Sequence, residues 1–245
     1  MQAVANICEK HNINYWLAYG TMLGAVRHKG FIPWDDDIDI YIKDEDLNKF
    51  SKYCELELGP SFFLQTPKTD PNMGWLYYKV RENNTLMLEP GQSIKNTNFH
   101  TGIWIDIFPL VSISEKKKAY NNQIRSLKYL QYLRFQKYDY KKGVLFKRII
   151  KYILNTYLRL KEKILWNKII KKGKKNSEHY VVIGNAFYSN RPESHILKDT
   201  FEKNLFDGFD YYDFENMKFR GICDFDRYLR KCYGDDYMIL NISPL

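Results

Sequence analysis

Between residues 37 and 42 the chain reads Asp-Ile-Asp-Ile-Tyr-Ile, with an apolar residue at every second position. That period predicts a strand with Asp37, Asp39 and Tyr41 on one face and Ile38, Ile40 and Ile42 turned into the core. A second apolar run, Ile103-Trp104-Ile105-Asp106-Ile107-Phe108-Pro109, carries one carboxylate in its middle. Shorter strands are predicted over 15–19, 62–65 and 77–81. Helical spacing predicts helices over 3–10, from Gly20-Thr21 to the stop at Lys29-Gly30, and from an Asp44 cap to Gly59-Pro60. From Ser114 a long helical stretch runs to about residue 140, and a second covers 144–172. The C-terminal part is mixed, with a helix over 225–232. The expected fold is α/β (α+β), a small mixed sheet flanked by helices with a mostly helical C-terminal half. The expected organisation is a catalytic core over 1–113 and a helical, basic region over 114–245 packed on it, or one continuous domain.

The chain has 245 residues, 44% hydrophobic and 16% aromatic, which suits a folded domain with a sizeable core and excludes a disordered segment. Residues 116–175 contain 20 Lys/Arg against two acids, Asp139 and Glu162, so the net charge of +9 conceals a basic segment on an acidic remainder. Cys8, Cys54, Cys223 and Cys232 form no C-x-x-C pair, so reduced structural thiols are expected. No apolar signal segment opens the chain and no apolar run is long enough to span a bilayer, which gives a cytoplasmic protein, soluble or peripheral at the inner membrane face, as the expectation.

The chemistry concentrates in the acidic strands. Two carboxylates on one strand face repel each other unless a cation sits between them, and Mg²⁺ (or Mn²⁺) suits hard oxygens and a phosphate-bearing substrate. A solvated turn is the plain alternative for an acidic run, and it stays open for Asp35 and Asp36. Against it for Asp37 and Asp39 stands the isoleucine alternation. A lone Asp106 inside an apolar strand needs a partner, either backbone donors, an Arg or a metal. Gly20-Thr21 opens a helix whose N-terminal N–H groups form an anion site, with glycine allowing close backbone approach. Arg27, Lys79 and Arg81 are candidate phosphate contacts or surface charges, and His28 is a loop residue or an acid–base group.

The run Tyr19-Gly-Thr-Met-Leu-Gly-Ala-Val-Arg-His-Lys-Gly-Phe-Ile-Pro-Trp-Asp-Asp-Asp-Ile-Asp-Ile40 resembles the signature of the LicD family, including its fukutin-related branch, within the nucleotidyltransferase-fold superfamily. Support continues at Tyr78-Lys79-Val80-Arg81, over 104–109, and at Tyr228-Leu229 and Tyr233-Gly234-Asp235-Asp236-Tyr237-Met238. The resemblance implies transfer of a phospho-alcohol, phosphocholine first, from a CDP-linked donor such as CDP-choline to a hydroxyl of a cell-surface or lipid-linked glycan. It implies Asp37 and Asp39 as Mg²⁺ ligands on the diphosphate, with Asp106 as third ligand or base, and catalysis by positioning and charge neutralisation. Ribitol- or glycerol-phosphate transfer, and true nucleotidyl transfer, remain the neighbouring enzyme readings.

Trp34, Tyr41, Trp75 and Trp104 are candidates for a cage around a quaternary ammonium. Residues 144–172 read either as a basic amphipathic helix on an anionic membrane or as a helix packed on the core. A non-catalytic basic binder is the remaining class, but no nucleic-acid motif accompanies the charge, so no nucleic-acid partner is expected.

Overall fold

The computed structural model of the protein describes residues 1–88, 97–135, 145–173, 177–184 and 193–239. The helix ends expected near residues 140 and 144 lie outside that set. One mixed sheet organises the molecule. Its strand β1 (Tyr15–Leu17) pairs antiparallel with β2 (Asp39–Lys43). Strand β3 (Phe62–Gln65) pairs antiparallel with β4 (Tyr78–Glu82), which lies antiparallel to β5 (Trp104–Ile113). The central contact is parallel, between β2 and β5.

Strand β5 changes partner along its length. Its first half pairs with β4 as far as Ile107, and from Leu110 it pairs with β6 (His179–Val182), which carries β7 (Thr200–Glu202) on its other edge. Pro109, which has no N–H to give, falls between the two partners, and its carbonyl accepts from Ile183 N–H at 2.9 Å. Residues on both sides of position 113 thus share one sheet, while β8 (Asp210–Phe214) and β9 (Met217–Gly221) form a separate hairpin.

Helices α1 (Gln2–Lys10), α2 (Tyr19–Arg27), α3 (Leu47–Glu57) and α7 (Phe225–Tyr233) bury Val4, Met22, Phe50 and Tyr228 in a main core with Trp16, Ile40, Ile107 and Phe206. A second core joins α4 (Lys117–Phe135), α5 (Leu145–Gly173) and α6 (Glu193–Lys198) to the far end of β5 through Leu127, Leu130, Ile169, Ile196, Val111 and Ile113. The fold is therefore the mixed α+β arrangement that the sequence pattern predicts. All four cysteines are free thiols.

Several local expectations are corrected. The strand expected to reach residue 19 stops at Leu17, because Tyr19 turns into the left-handed region (φ 44°) and starts α2. Its N–H donates to the Tyr228 hydroxyl at 2.8 Å, so a residue 209 positions away holds that turn. Lys29 (φ 62°), not Gly30, makes the left-handed turn after α2. Gly30 lies close under the β8–β9 turn: a Cβ there would stand 2.4 Å from Glu215 Oε1 and displace that side chain. Asp44 is buried in the sheet end rather than capping α3, which starts after Asp46. Tyr41 is fully buried, because β2 is covered on both faces, as parallel strands are.

Tyr228 joins α7 to the start of α2 and to Tyr41, whose hydroxyl lies 3.0 Å from its own. Replacing Tyr228 by Phe leaves the half-buried Tyr19 N–H without its acceptor. The expected cost is about 1–3 kcal/mol in a urea unfolding titration. An unchanged midpoint and slope would mean that the turn does not depend on this bond.

Candidate active site

The β2–β5 register sets Asp39 directly opposite Asp106. Two further bonds fix the start of β2 against α2: Ala18 N–H donates to the Asp39 carbonyl at 2.9 Å, and Asp39 N–H donates to Thr21 Oγ1 at 2.8 Å. Across the sheet, Asp106 N–H donates to the Ile38 carbonyl at 2.8 Å. Both carboxylates are buried, each with 8% of its residue surface exposed. Asp39 Oδ1 receives no hydrogen bond. Burial, then the charges of Asp106, Asp37 and Asp35, push the Asp39 carboxyl well above the usual carboxylate range, with Lys79 opposing.

Asp106 is better served. Lys79 Nζ stands 2.7 Å from its Oδ1, and Trp104 Nε1 donates to its Oδ2 at 3.2 Å. Burial raises this carboxyl as well, and the lysine and tryptophan work against the rise. The antiparallel register places Lys79 opposite Asp106 on β4, so the pair follows from the sheet itself. Three rings surround the ammonium, with centroids at 4.1 Å (Trp104), 5.2 Å (Trp75) and 5.3 Å (Tyr77).

Lys79 and Arg81, read from the sequence as phosphate contacts or surface charges, are not surface charges; each is only 1% exposed. Arg81 donates through Nε to Gln65 Oε1 at 2.5 Å and through Nη1 to the Gly102 carbonyl at 2.6 Å, with Cζ 4.7 Å from the Trp104 ring. It braces β3, β5 and the loop before β5. Arg27 lies at the end of α2 remote from Gly20, where its Nη1 donates to the Tyr237 carbonyl at 2.8 Å. Thr21 acts on the strand through its bond from Asp39. Of the four aromatics considered for an ammonium cage, Trp34 is exposed and Tyr41 lies in the core, while Trp75 and Trp104 flank Lys79. His28 is half-buried beside Arg27, and His100 is held by Asn83 and Gly102.

Two residues enter the site that the sequence pattern left aside. The Asp35 carboxylate leans over Gly20: a Cβ there would come within 2.2 Å of Asp35 Oδ2. A side chain at 20 would have to displace this carboxylate, which lies beside the first turn of α2. Burial, the Asp37 charge and a hydrogen bond with Asp37, then the Asp36 charge, push Asp35 up to about 6. The loop that carries it is tied down by Glu215, which accepts from Phe31 N–H at 3.1 Å. Tyr233 is the second: its phenol is pushed up by burial and Cys232, then by the Asp39, Asp35 and Asp37 charges. Its Tyr-Gly-Asp-Asp run was the available signal.

Asp35, Asp37, Asp39 and Asp106 form one electrostatically linked group of hard oxygen donors. Among the described residues no three acidic, His or Cys side chains converge on one metal-binding point as they are placed. The donor chemistry and the orphaned Asp39 oxygen nonetheless fit a divalent cation at Asp37 and Asp39, with Asp106 adjacent and balanced by Lys79. A cleft of about 430 Å³ beside Lys116, Asn122, Ser126, Lys168 and Ile169 lies between α4 and α5, away from these acids.

Asp35 links this group to pH. Unfolded, its carboxyl titrates near 3.8; folded, near 6. Between those values the folded chain holds the extra proton, so stability falls as pH rises and the deficit is complete above the folded value. In EDTA, Asp35→Asn should therefore be more stable than wild type in urea at pH 7.5, an advantage that disappears near pH 4. An equal gain at both pH values would assign the effect to packing instead.

The model of the LicD family, described as the LicD/FKTN/FKRP nucleotidyltransferase domain, matches residues 12–149, more than half of the chain. A lipopolysaccharide cholinephosphotransferase LicD of Haemophilus influenzae is 54% identical over 44 residues, 18% of this chain and 17% of that protein. Ribitol 5-phosphate transferase FKRP of mouse is 29% identical, and that of human 28%, over 101 residues, 41% of this chain and 18% of each relative. The chain thus matches less than a fifth of the length of these curated relatives. The chain belongs to the LicD family.

Proposed function

We propose that the protein is a phospho-alcohol transferase that uses the Asp37–Asp39–Asp106 group to move a phospho-alcohol from a CDP-linked donor to a glycan hydroxyl. The observation that carries this reading is the register pairing of Asp39 with Asp106 inside a buried sheet, next to an Asp39 oxygen that has no donor of its own. In a water-poor setting such charges are costly unless a cation or a reaction uses them.

Asp37 and Asp39 would hold Mg²⁺ or Mn²⁺. When bound, the cation would neutralise phosphoryl oxygens and stabilise the departing CMP. Asp106 would accept the proton of the incoming hydroxyl or complete the ligand set. Its raised carboxyl makes it a stronger proton acceptor than an exposed aspartate, and the Lys79 ammonium favours its ionised form. Thr21 ties the start of α2 to the Asp39 strand, and a donor phosphate at the N-terminal N–H groups of α2 would share its space with Asp35 beside Gly20.

Phosphocholine is the first donor group to test, because one relative with 54% local identity is a cholinephosphotransferase. Ribitol phosphate is the second, favoured by the longer match to FKRP. The aromatic rings do not decide between them, since those beside Asp106 already surround Lys79. True nucleotidyl transfer would differ by releasing pyrophosphate instead of CMP. The proposed setting is the cytoplasm, where nucleotide-linked donors are made, with a glycan or glycolipid acceptor.

With Mg²⁺ and a panel of CDP-choline, CDP-ribitol, CDP-glycerol and CDP-ethanolamine, the protein should release CMP from one donor. Asp39→Asn should lower that rate about 100-fold or more, and EDTA should abolish it. Pyrophosphate release from a nucleoside triphosphate, with no CMP from any CDP-alcohol, would replace this reading by nucleotidyl transfer.

A further inference from the structure

Helix α5 carries two apolar stripes on opposite sides. The inner one, with Leu165, Trp166 and Ile169, packs toward the sheet and α4, where Ile169 is buried. The outer one consists of Ile149, Ile150, Ile153, Tyr157, Leu160 and Ile164, all between 42% and 60% exposed. From Ile150 onward the spacing is three and four residues, and Ile149 lies four before Ile153, which keeps them on one face over about 22 Å of helix. Nothing among the described residues covers that stripe. The sequence alone suggested one amphipathic face here; the structure separates the part that packs from the part that does not. An isolated exposed isoleucine is ordinary, but a continuous row of six large apolar side chains marks an interaction surface.

Charge selects the occupant. Glu162 is the sole acid in α4 and α5, and it faces inward to Arg134 at 3.6 Å. By helical geometry exposed Lys163 borders one edge of the stripe and exposed Lys168 the other, with Lys161 beside it bonded to the Tyr129 hydroxyl at 2.6 Å. Docking a second copy on the same face would bring two basic segments together, each with 20 Lys/Arg over residues 116–175. An anionic bilayer surface matches both features, taking aliphatic side chains into its acyl boundary and lysines at its headgroups. No helix of the described residues is long and apolar enough to cross a membrane, so the contact would lie along the surface.

We propose that the outer stripe of α5 is a docking face for an anionic lipid surface. This assignment does not rest on the transferase reading. It places the helical arm, and not the carboxylate group, against the bilayer.

Vesicle flotation tests it, using phosphatidylcholine alone and phosphatidylcholine mixed with phosphatidylglycerol. The wild-type chain should float with the anionic vesicles, and Ile153→Glu/Leu160→Glu should weaken that binding about tenfold or more, with an unchanged melting curve. Lys163→Glu/Lys168→Glu, which keeps the apolar row, should weaken it and flatten its salt dependence. Binding that survives both pairs of substitutions would overturn the assignment. So would equal binding to neutral vesicles. Failure to float, with a dimer that Ile153→Glu/Leu160→Glu dissociates, would give the face to a second copy.

Discussion

Two aspartates face each other across neighbouring strands of a sheet that is covered on both sides, and much of the structure around them answers the resulting repulsion. In the parallel β2–β5 pair, Asp39 and Asp106 occupy matched positions. Lys79, matched to Asp106 from the other neighbour, supplies one compensating charge. One cation cannot balance the whole group, and Asp39 keeps an oxygen with no hydrogen-bond partner. The fold accepts this cost because the surrounding elements leave the carboxylates little freedom: Thr21 and Ala18 grip the first residue of β2, and Trp104 holds Asp106. Such local cost, sustained by a rigid frame, is the expected condition of a site built for charged substrates.

The frame itself is held from far along the chain. Tyr228 in α7 keeps Tyr19 in its left-handed turn, and Glu215 in the β8–β9 turn holds the loop that delivers Asp35 over Gly20. The C-terminal part is therefore a support for the acidic strands as much as an addition to them. The basic arm formed by α4 and α5 packs instead at the other end of β5, around Val111 and Ile113. A substrate site and a surface-binding face can in this way occupy separate ends of one long strand.

The isoleucine alternation exposed β2, and the apolar context of Asp106 exposed β5, because burying an unpaired carboxylate is costly enough to leave a visible exception in the sequence. Position along a strand was legible; what lies across from it was not. A period of two cannot distinguish a strand buried on one face from one buried on both, which is why Tyr41 belongs to the core. The i, i+2 spacing of Lys79 and Arg81 places them on one side of β4, where both meet the Trp104 ring. It carried no information that Asp106, Gln65 and the Gly102 carbonyl would meet them there. Gly20 read as a phosphate cradle, whereas the group that comes closest is Asp35, fifteen residues later across a loop. In α5 the apolar pattern was plain, but two opposed stripes merge in a linear sequence, and only packing separates them.

In the proposed reaction a bound divalent cation would meet the repulsion between these carboxylates. The most direct measurement is Mn²⁺ binding, followed by the loss of the free-ion electron paramagnetic resonance signal at pH 7.5, with a CDP-alcohol present. The wild-type chain should deplete free Mn²⁺, and Asp39→Asn should not, while folding as stably as the parent or better. Binding that is undiminished in Asp39→Asn, or absent from the wild type with the donor present, would contradict the account.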